Sequence, residues 1–279
     1  MAQLAQGHHV AIGTVIDVSG SVPGKRGARL AMAVNGSRKG TVGGAGLEHD
    51  VEVKLQLLLD SAVNGGLNAG GIVENYTLHH NAKGDDSNPL NSLCGGRATV
   101  AMEVLTPMPH ILLVGGGHCS RAIADHASLL GWKCSVLDSR VEYSSESNWP
   151  NALERHNSSA EEFLASEAAD LQRFSNILLL GHDWSYDQTL LIGLLKMVDE
   201  RRKTEDSNAS VMKRPKIGVI GSKSKWKSFS KGAGDAGISS DSIDSVTCPI
   251  GLSIGAESPS EIAVAVCAEI IQQMTAEKQ

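Results

Sequence analysis

The second half of this chain holds the pattern that most limits its fold. His110 to Val114, Lys133 to Leu137, Asn176 to Leu180 and Lys216 to Ile220 are short, largely apolar runs without in-and-out alternation. Helical stretches separate them, the clearest being the stripe Leu190, Leu191, Leu194, Leu195 and Val198. A strand that is apolar on both faces has to be covered on both faces, and crossover helices give a parallel sheet that cover. The pattern predicts a Rossmann-like parallel-sheet domain. Its first run leads into Gly115-Gly-Gly117-His118-Cys-Ser120 and then a helix, the setting that a dinucleotide-binding turn requires. Gly115 suits the tight turn, and Gly117 lets a phosphate reach free N–H groups at the helix start. Ser120 stands where a third glycine is usual, which predicts looser packing of helix on strand. Asp138 ends the second run, about 20 residues on, where a carboxylate can accept from ribose hydroxyls, with Arg140 close by to favour a 2′-phosphate instead. His118 lies in the turn, and His182 and Asp183 follow the third run, at strand ends where ligands gather in open α/β sheets.

The first half has a different rhythm. Val10 to Val18 and Leu30 to Val34 read as paired strands around the loop Ser19 to Arg29, in which Lys25, Arg26 and Arg29 can hold a phosphate. Leu47, Val51, Leu55, Leu58 and Ala62 recur at helical spacing and predict an amphipathic helix stopping near Asn64-Gly65-Gly66. Strands are expected at Ile72 to Leu78 and Ala98 to Leu105, with Asn81 to Pro89 as an exposed loop. Two prolines in Thr106-Pro-Met-Pro109 break any ladder, so an α+β domain over 1–106 is expected to precede the parallel-sheet domain over 107–279. Glu200 to Pro215 reads as a polar surface connection. Ser258-Pro-Ser-Glu261 is a capping box ahead of the closing helix.

Length and charge narrow the function classes. At 279 residues two domains are natural, and a net charge of -6 leaves no broad basic face for nucleic acid. No apolar run approaches the roughly 20 residues of a membrane span, and no leader pattern opens the chain, so a cytoplasmic protein is expected. Five cysteines without a Cys-x-x-Cys pair, Cys94, Cys119, Cys134, Cys248 and Cys267, predict reduced thiols. Cys134 and Cys267 fall in core patterns. His8, His9, His79 and His80 lack the spacing of a closed metal set and read as surface residues. Cys94 stands apart, because Gly95 and Gly96 leave its thiol open and Arg97 favours the thiolate.

Taken in order, these strings resemble the xanthine dehydrogenase accessory (XdhC/CoxI) family over nearly the whole chain. The resembling pieces in the first half are Gly20-Ser-Val-Pro-Gly24, Gly27-Ala-Arg29, Gly40-Thr-Val-Gly43-Gly44 with Leu47-Glu48, and Leu93-Cys-Gly-Gly96. In the second half they are Gly115-Gly-Gly-His118, Asp138-Ser-Arg140, Gly181-His-Asp183, Gly221-Ser222 and Pro249-Ile-Gly-Leu-Ser-Ile-Gly-Ala256 followed by Ser258 to Ala263. The resemblance implies an accessory protein that binds molybdenum cofactor of the molybdopterin type and promotes its sulfuration and insertion into an apo molybdenum hydroxylase of the xanthine dehydrogenase type. A cysteine desulfurase is a further implied partner, and NAD(P) or another nucleotide a further ligand. Cys94 is the candidate molybdenum ligand or sulfur carrier, with Glu48, His182 and Asp183 as reactive candidates. Arg26, Arg29, Gly43, Gly44, Gly95, Gly96, Arg97, Gly115, Gly117, His118, Asp138, Arg140, Gly221 and Ser222 are candidates for cofactor binding. Family members often carry cysteine near Gly43-Gly44, whereas this chain reads Gly43-Gly-Ala-Gly46, and Cys248 precedes Pro249 where a small residue is usual.

Two other function classes compete. An NAD(P)-dependent oxidoreductase needs an acid or base beside the nicotinamide, and no Tyr-x-x-x-Lys pairing follows the glycine turn. A pure docking protein for the apo-hydroxylase needs neither ligand. A non-catalytic insertion chaperone, acting as a homodimer by the general frequency of two-fold assemblies, is the reading preferred over an independent enzyme.

Overall fold

The structure is a computed structural model of the chain, and it describes residues 1–63, 71–78, 88–90, 95–168, 170–204 and 215–276. The first compact unit holds Met1–Pro107. After a single helical turn, α1 (Ala2–Ala5), come β1 (Val10–Gly20), β2 (Arg29–Ala33), β3 (Arg38–Gly40), α2 (Ala45–Val63), β4 (Ile72–Leu78), β5 (Asn88–Leu90) and β6 (Gly96–Leu105). They form a six-stranded sheet in the order β3-β2-β1-β6-β4-β5. Every pairing is antiparallel except β4 with β5. One stripe of α2, Leu47, Val51, Leu55, Leu58 and Leu59, buries itself with Ala11, Val15, Leu30, Ala98, Val100 and Met102 of the sheet. Each fully buried leucine contributes about 2 kcal/mol. Gly13 allows the close approach, since a Cβ there would stand 2.9 Å from Val51.

The second unit holds Met108–Ala209 and Lys213–Gln273. Its elements are β7 (His110–Val114), α3 (His118–Leu129), β8 (Lys133–Leu137), α4 (Val141–Ser144), β9 (Arg155–His156), α5 (Ala160–Glu167), a 3₁₀ turn (Leu171–Arg173), β10 (Asn176–Leu179), α6 (Trp184–Thr204), β11 (Lys216–Val219), α7 (Lys223–Asp235), α8 (Ser240–Asp244) and α9 (Pro259–Ala276). The five strands are all parallel, in the order β11-β10-β7-β8-β9. Every residue of β7 and β10 is buried, which is why these runs carry no alternation. The chain runs outward from β7 through β8 to β9, then returns to β10 on the other side of β7. That reversal makes the carboxyl ends of β7 and β10 the topological switch point, the place where an open α/β sheet leaves a crevice for a ligand. The capping box forms as the sequence predicts. Glu261 N donates to Ser258 Oγ at 3.3 Å, and Ser258 N donates to Glu261 Oε2 at 2.9 Å.

Three sequence expectations are corrected. Asn88 and Pro89, expected in a loop, belong to β5, and Pro89 is tolerated because β5 is the last strand of its sheet. Glu200 to Thr204, expected in a connection, continue α6. His9, expected at the surface, is buried at the entry to β1. Of the remaining expectations, the glycine stop at 64–66, the loop 81–87, His79, His80 and the connection 205–214 lie outside the described residues.

Candidate functional site

β7 delivers the chain to Gly115, whose φ of +94° only glycine adopts freely, and a Cβ there would stand 2.9 Å from the Gly181 Cα at the end of β10. The two strand exits therefore meet backbone against backbone. α3 begins at His118 after Gly117, with no side chain capping its first N–H groups. His118 itself is exposed. Ser120 does not loosen the packing as its sequence position predicts. It is buried, and its hydroxyl donates to the Gly115 carbonyl, tying helix to turn.

Asp138 comes to the same place from the end of β8. Its Oδ2 accepts from Gly116 N at 2.8 Å and from Arg140 Nη2 at 2.7 Å. Its Oδ1 accepts from Arg140 N and Arg140 Nε, both at 2.9 Å. Burial works to raise its pKa, but the hydrogen bonds from Arg140 and Gly116 outweigh it and hold the carboxyl below its ordinary value. A carboxylate offers about four acceptor positions, and here protein donors fill them. Ribose hydroxyls would have to displace Arg140, whose guanidinium also stacks 3.7 Å from the Tyr143 ring centre. α4 stands over the turn as well, since a Cβ on Gly116 would overlap the Tyr143 carbonyl oxygen.

A crevice opens beside this network, lined by Val114, Gly115, Asp138, Arg140, Gly181, His182, Asp183, Tyr186 and Asp187 among others. His182 and Asp183 are both exposed at its rim. Asp183 Oδ1 accepts from Ser185 Oγ at 2.8 Å and Ser185 N at 2.9 Å, so it starts α6, and the Ser185 hydroxyl leads in lowering its pKa. Ser222 starts α7 in the same way, accepting from Lys225 N at 3.3 Å, and Gly221 packs against the Lys225 side chain. Sequence reasoning missed Asp187. It is wholly buried, its Oδ2 accepts from Lys225 Nζ at 3.2 Å, and its Oδ1 has no hydrogen-bond partner among the described residues. Burial pushes its pKa up against the opposing pull of Lys225. One signal was present: Asp187 sits three and four residues before Leu190 and Leu191, an acid on an otherwise apolar stripe.

In the first unit the structure gathers the glycine strings at one end of the sheet. Ser21 N donates to Gly95 O at 2.9 Å, joining the loop after β1 to the start of β6. A Cβ on Gly43, whose φ is +132°, would overlap the backbone of Gly24, and one on Gly44 would stand 2.8 Å from Pro23. Glu48 anchors this assembly. Thr41 Oγ1 and Arg38 donate to its carboxylate, as does Val42 N at 3.3 Å, and the Thr41 hydroxyl leads in lowering its pKa. Arg26 pairs with Asp17, while Arg29 and Arg97 are exposed. Cys94 lies outside the described residues, although Gly95 and Gly96 beside it do not. Among the described cysteines, burial leads in pushing Cys134 up to about 12, Cys267 up to about 11, and Cys248 upward as well. Among the described residues no group of three or more His, Cys, Asp or Glu side chains is placed to hold a metal, and no helix is long and apolar enough to cross a membrane.

Residues 3–67 match the XdhC and CoxI family, and residues 111–270 match the XdhC Rossmann domain. The chain belongs to the XdhC/CoxI family. Its curated relatives include the uncharacterized Escherichia coli K12 protein YqeB, 28% identical over 94% of this chain and 43% of that protein. A Bacillus subtilis 168 protein, named as a probable subunit of xanthine dehydrogenase, is 28% identical over 61% of this chain and 44% of its own length. This family member thus spans less than half the length of these relatives. A crystal structure from Bacillus halodurans, described as a xanthine dehydrogenase, shares the fold at a TM-score of 0.50 and 19% identity, over 100% of this chain and 95% of that one.

Proposed function

We propose that this family member is a cofactor-handling accessory protein, which binds molybdenum cofactor of the molybdopterin type and promotes its sulfuration and insertion into an apo-hydroxylase of the xanthine dehydrogenase type. The observation that carries this reading is the match of both halves of the chain to one family whose relatives include a protein named for xanthine dehydrogenase. The residues present fit such a group. Gly24 meets Gly43 and Gly20 meets Gly95 with bare backbone, and exposed Arg29 and Arg97, on the two strands that flank β1, supply guanidinium groups to meet a phosphate. When bound, the cofactor supplies the molybdenum centre at which a hydroxylase works.

In this reading Cys94 is the soft ligand or sulfur carrier, receiving sulfur with the help of a cysteine desulfurase. Arg26, Arg29 and Arg97 orient the phosphate end. A nucleotide, or the nucleotide portion of a dinucleotide cofactor, enters at the Gly115 turn once Arg140 releases Asp138. The protein acts through its partner and turns over no purine itself. The test compares hydroxylase activity and sulfuration in cells with the wild-type protein, with Cys94→Ser and with none. Cys94→Ser exchanges a soft, ionisable sulfur for a hard hydroxyl at nearly constant volume. An unchanged melting temperature with loss of retained cofactor and of partner activation is the expected result. A fully active, sulfurated hydroxylase without the protein overturns the reading.

A further inference from the structure

We propose that Asp187 is the ligand-reading acceptor at the floor of the switch-point crevice, where its free Oδ1 takes an N–H or O–H donor from an uncharged part of a heterocyclic or nucleoside-like ligand. The assignment refines the proposed cofactor-handling role by naming what this crevice recognises. It starts from an imbalance. Buried carboxylate oxygens are nearly always hydrogen-bonded, because an unmade bond in the interior costs the full desolvation of the group. Asp187 is wholly buried, yet among the described residues only Oδ2 is served, by Lys225 at 3.2 Å. Oδ1 lies against Gly181, where a Cβ would overlap it, so a glycine at the strand exit is what lets the carboxylate sit there, among the residues that line the crevice.

The crevice lining defines what a ligand there must offer. Val114 and Leu137 give the crevice apolar walls, and Tyr186 has its hydroxyl committed to Ser158 O at 3.0 Å. Arg140 and Lys225 are each already matched to a carboxylate, Asp138 and Asp187 respectively. A phosphate in the crevice would meet Asp138 and Asp187, with Asp183 at the rim, and no spare Lys or Arg among the lining residues. A neutral donor meets an acceptor that lacks only a donor. Such donors are the hydroxyls of a ribose and the ring or exocyclic N–H groups of a pterin or purine. If Asp187 served only to hold Lys225, its Oδ1 would gain nothing from a ligand, and the two roles separate by experiment.

The full chain is titrated calorimetrically with adenosine, with 2′,3′-dideoxyadenosine as its control lacking both ring hydroxyls, and with 6-hydroxymethylpterin, which has no ribose. Asp187→Leu combined with Lys225→Met removes both charges, a replacement that spares stability better than leaving one partner alone. Binding of adenosine but not of its dideoxy form identifies a ribose; binding of the pterin identifies ring N–H donors. In either case the double variant is expected to bind the successful probe about tenfold more weakly or worse, with its melting temperature held within a few degrees. Asp187→Asn, which keeps size and fold, is expected to weaken the same probe in the same direction. Equal affinity in wild type and variants overturns the assignment, as does a wild-type protein that binds none of the three probes. Neither outcome touches the accessory role, whose own test is activation of the hydroxylase; conversely, a hydroxylase active without this protein leaves probe binding at Asp187 to be read independently.

Discussion

Ser120 and Asp138 illustrate how single side chains hold the glycine turn in a fixed shape. The Ser120 hydroxyl bonds the Gly115 carbonyl inside the protein, so Ser120→Ala is expected to lower stability by about 1 kcal/mol in urea unfolding. Asp138→Ala removes the acceptor from the buried Gly116 N–H and from Arg140 together, and a loss of about 2 kcal/mol is expected. A variant as stable as wild type would show that the turn holds itself. The place of Asp138 was legible from its distance after the glycine turn, because strand and helix lengths in a βαβ unit vary little. Its engagement was not, since no sequence pattern says whether Arg140 folds back onto a carboxylate two residues away. Asp187 was legible only as an anomaly on an apolar stripe. Its partner Lys225 lies 38 residues further on, a pairing that depends on the neighbouring positions of β10 and β11.

At the scale of elements, the two glycine loops of the first unit act as one piece, because the backbone of one lies where a side chain of the other would be. Gly43→Ala is expected to cost about 3 kcal/mol or more, combining a positive φ with overlap on Gly24. Gly27→Ala is the control: its φ is +85°, but nothing stands within 4 Å of the added Cβ, so about 1 kcal/mol is expected from the backbone alone. Equal losses for the two variants, measured by thermal unfolding, would refute the contact as the cause. Continuously apolar strands and periodic helices were legible to within one or two residues, among them β7, β8, β10 and α2. The failures have physical reasons. β5 is three residues long and carries a proline, so only its edge position, a tertiary fact, makes it a strand. The end of α6 is polar all round, and helix continuity there follows from the buried turns before it rather than from its own pattern.

At the scale of the molecule, parallel sheet and family were readable from chemistry repeated along the chain, whereas the strand order that creates the switch point came from folding alone. The same holds for the response of the whole fold to acid. His110 opens β7 and is buried, with Nε2 2.8 Å from Ser135 Oγ, its ring 4.7 Å from Phe174, and no partner for Nδ1 among the described residues. Burial lowers its pKa from 6.5 to about 4; Glu154 opposes that shift, while Arg173, Lys133 and His156 reinforce it. Above pH 6.5 the ring is neutral in folded and unfolded chains alike, and His110 leaves stability independent of pH. Between 6.5 and 4 the unfolded chain takes up a proton that the folded chain refuses, so stability falls as pH falls, by about 2 kcal/mol at pH 5. Burial works to raise the pKa of Glu154, but its bonds to His156 and Arg173 prevail and hold it down to about 2. Glu154 therefore adds its loss only below its ordinary value of 4.5, beneath the range from 6.5 to 5 in which His110 acts. Urea unfolding at pH 7.5, 6 and 5 is expected to show this decline in wild type and a shallower one in His110→Gln, which keeps a polar partner for Ser135 but cannot titrate. Parallel declines in the two proteins would place the acid sensitivity elsewhere in the fold.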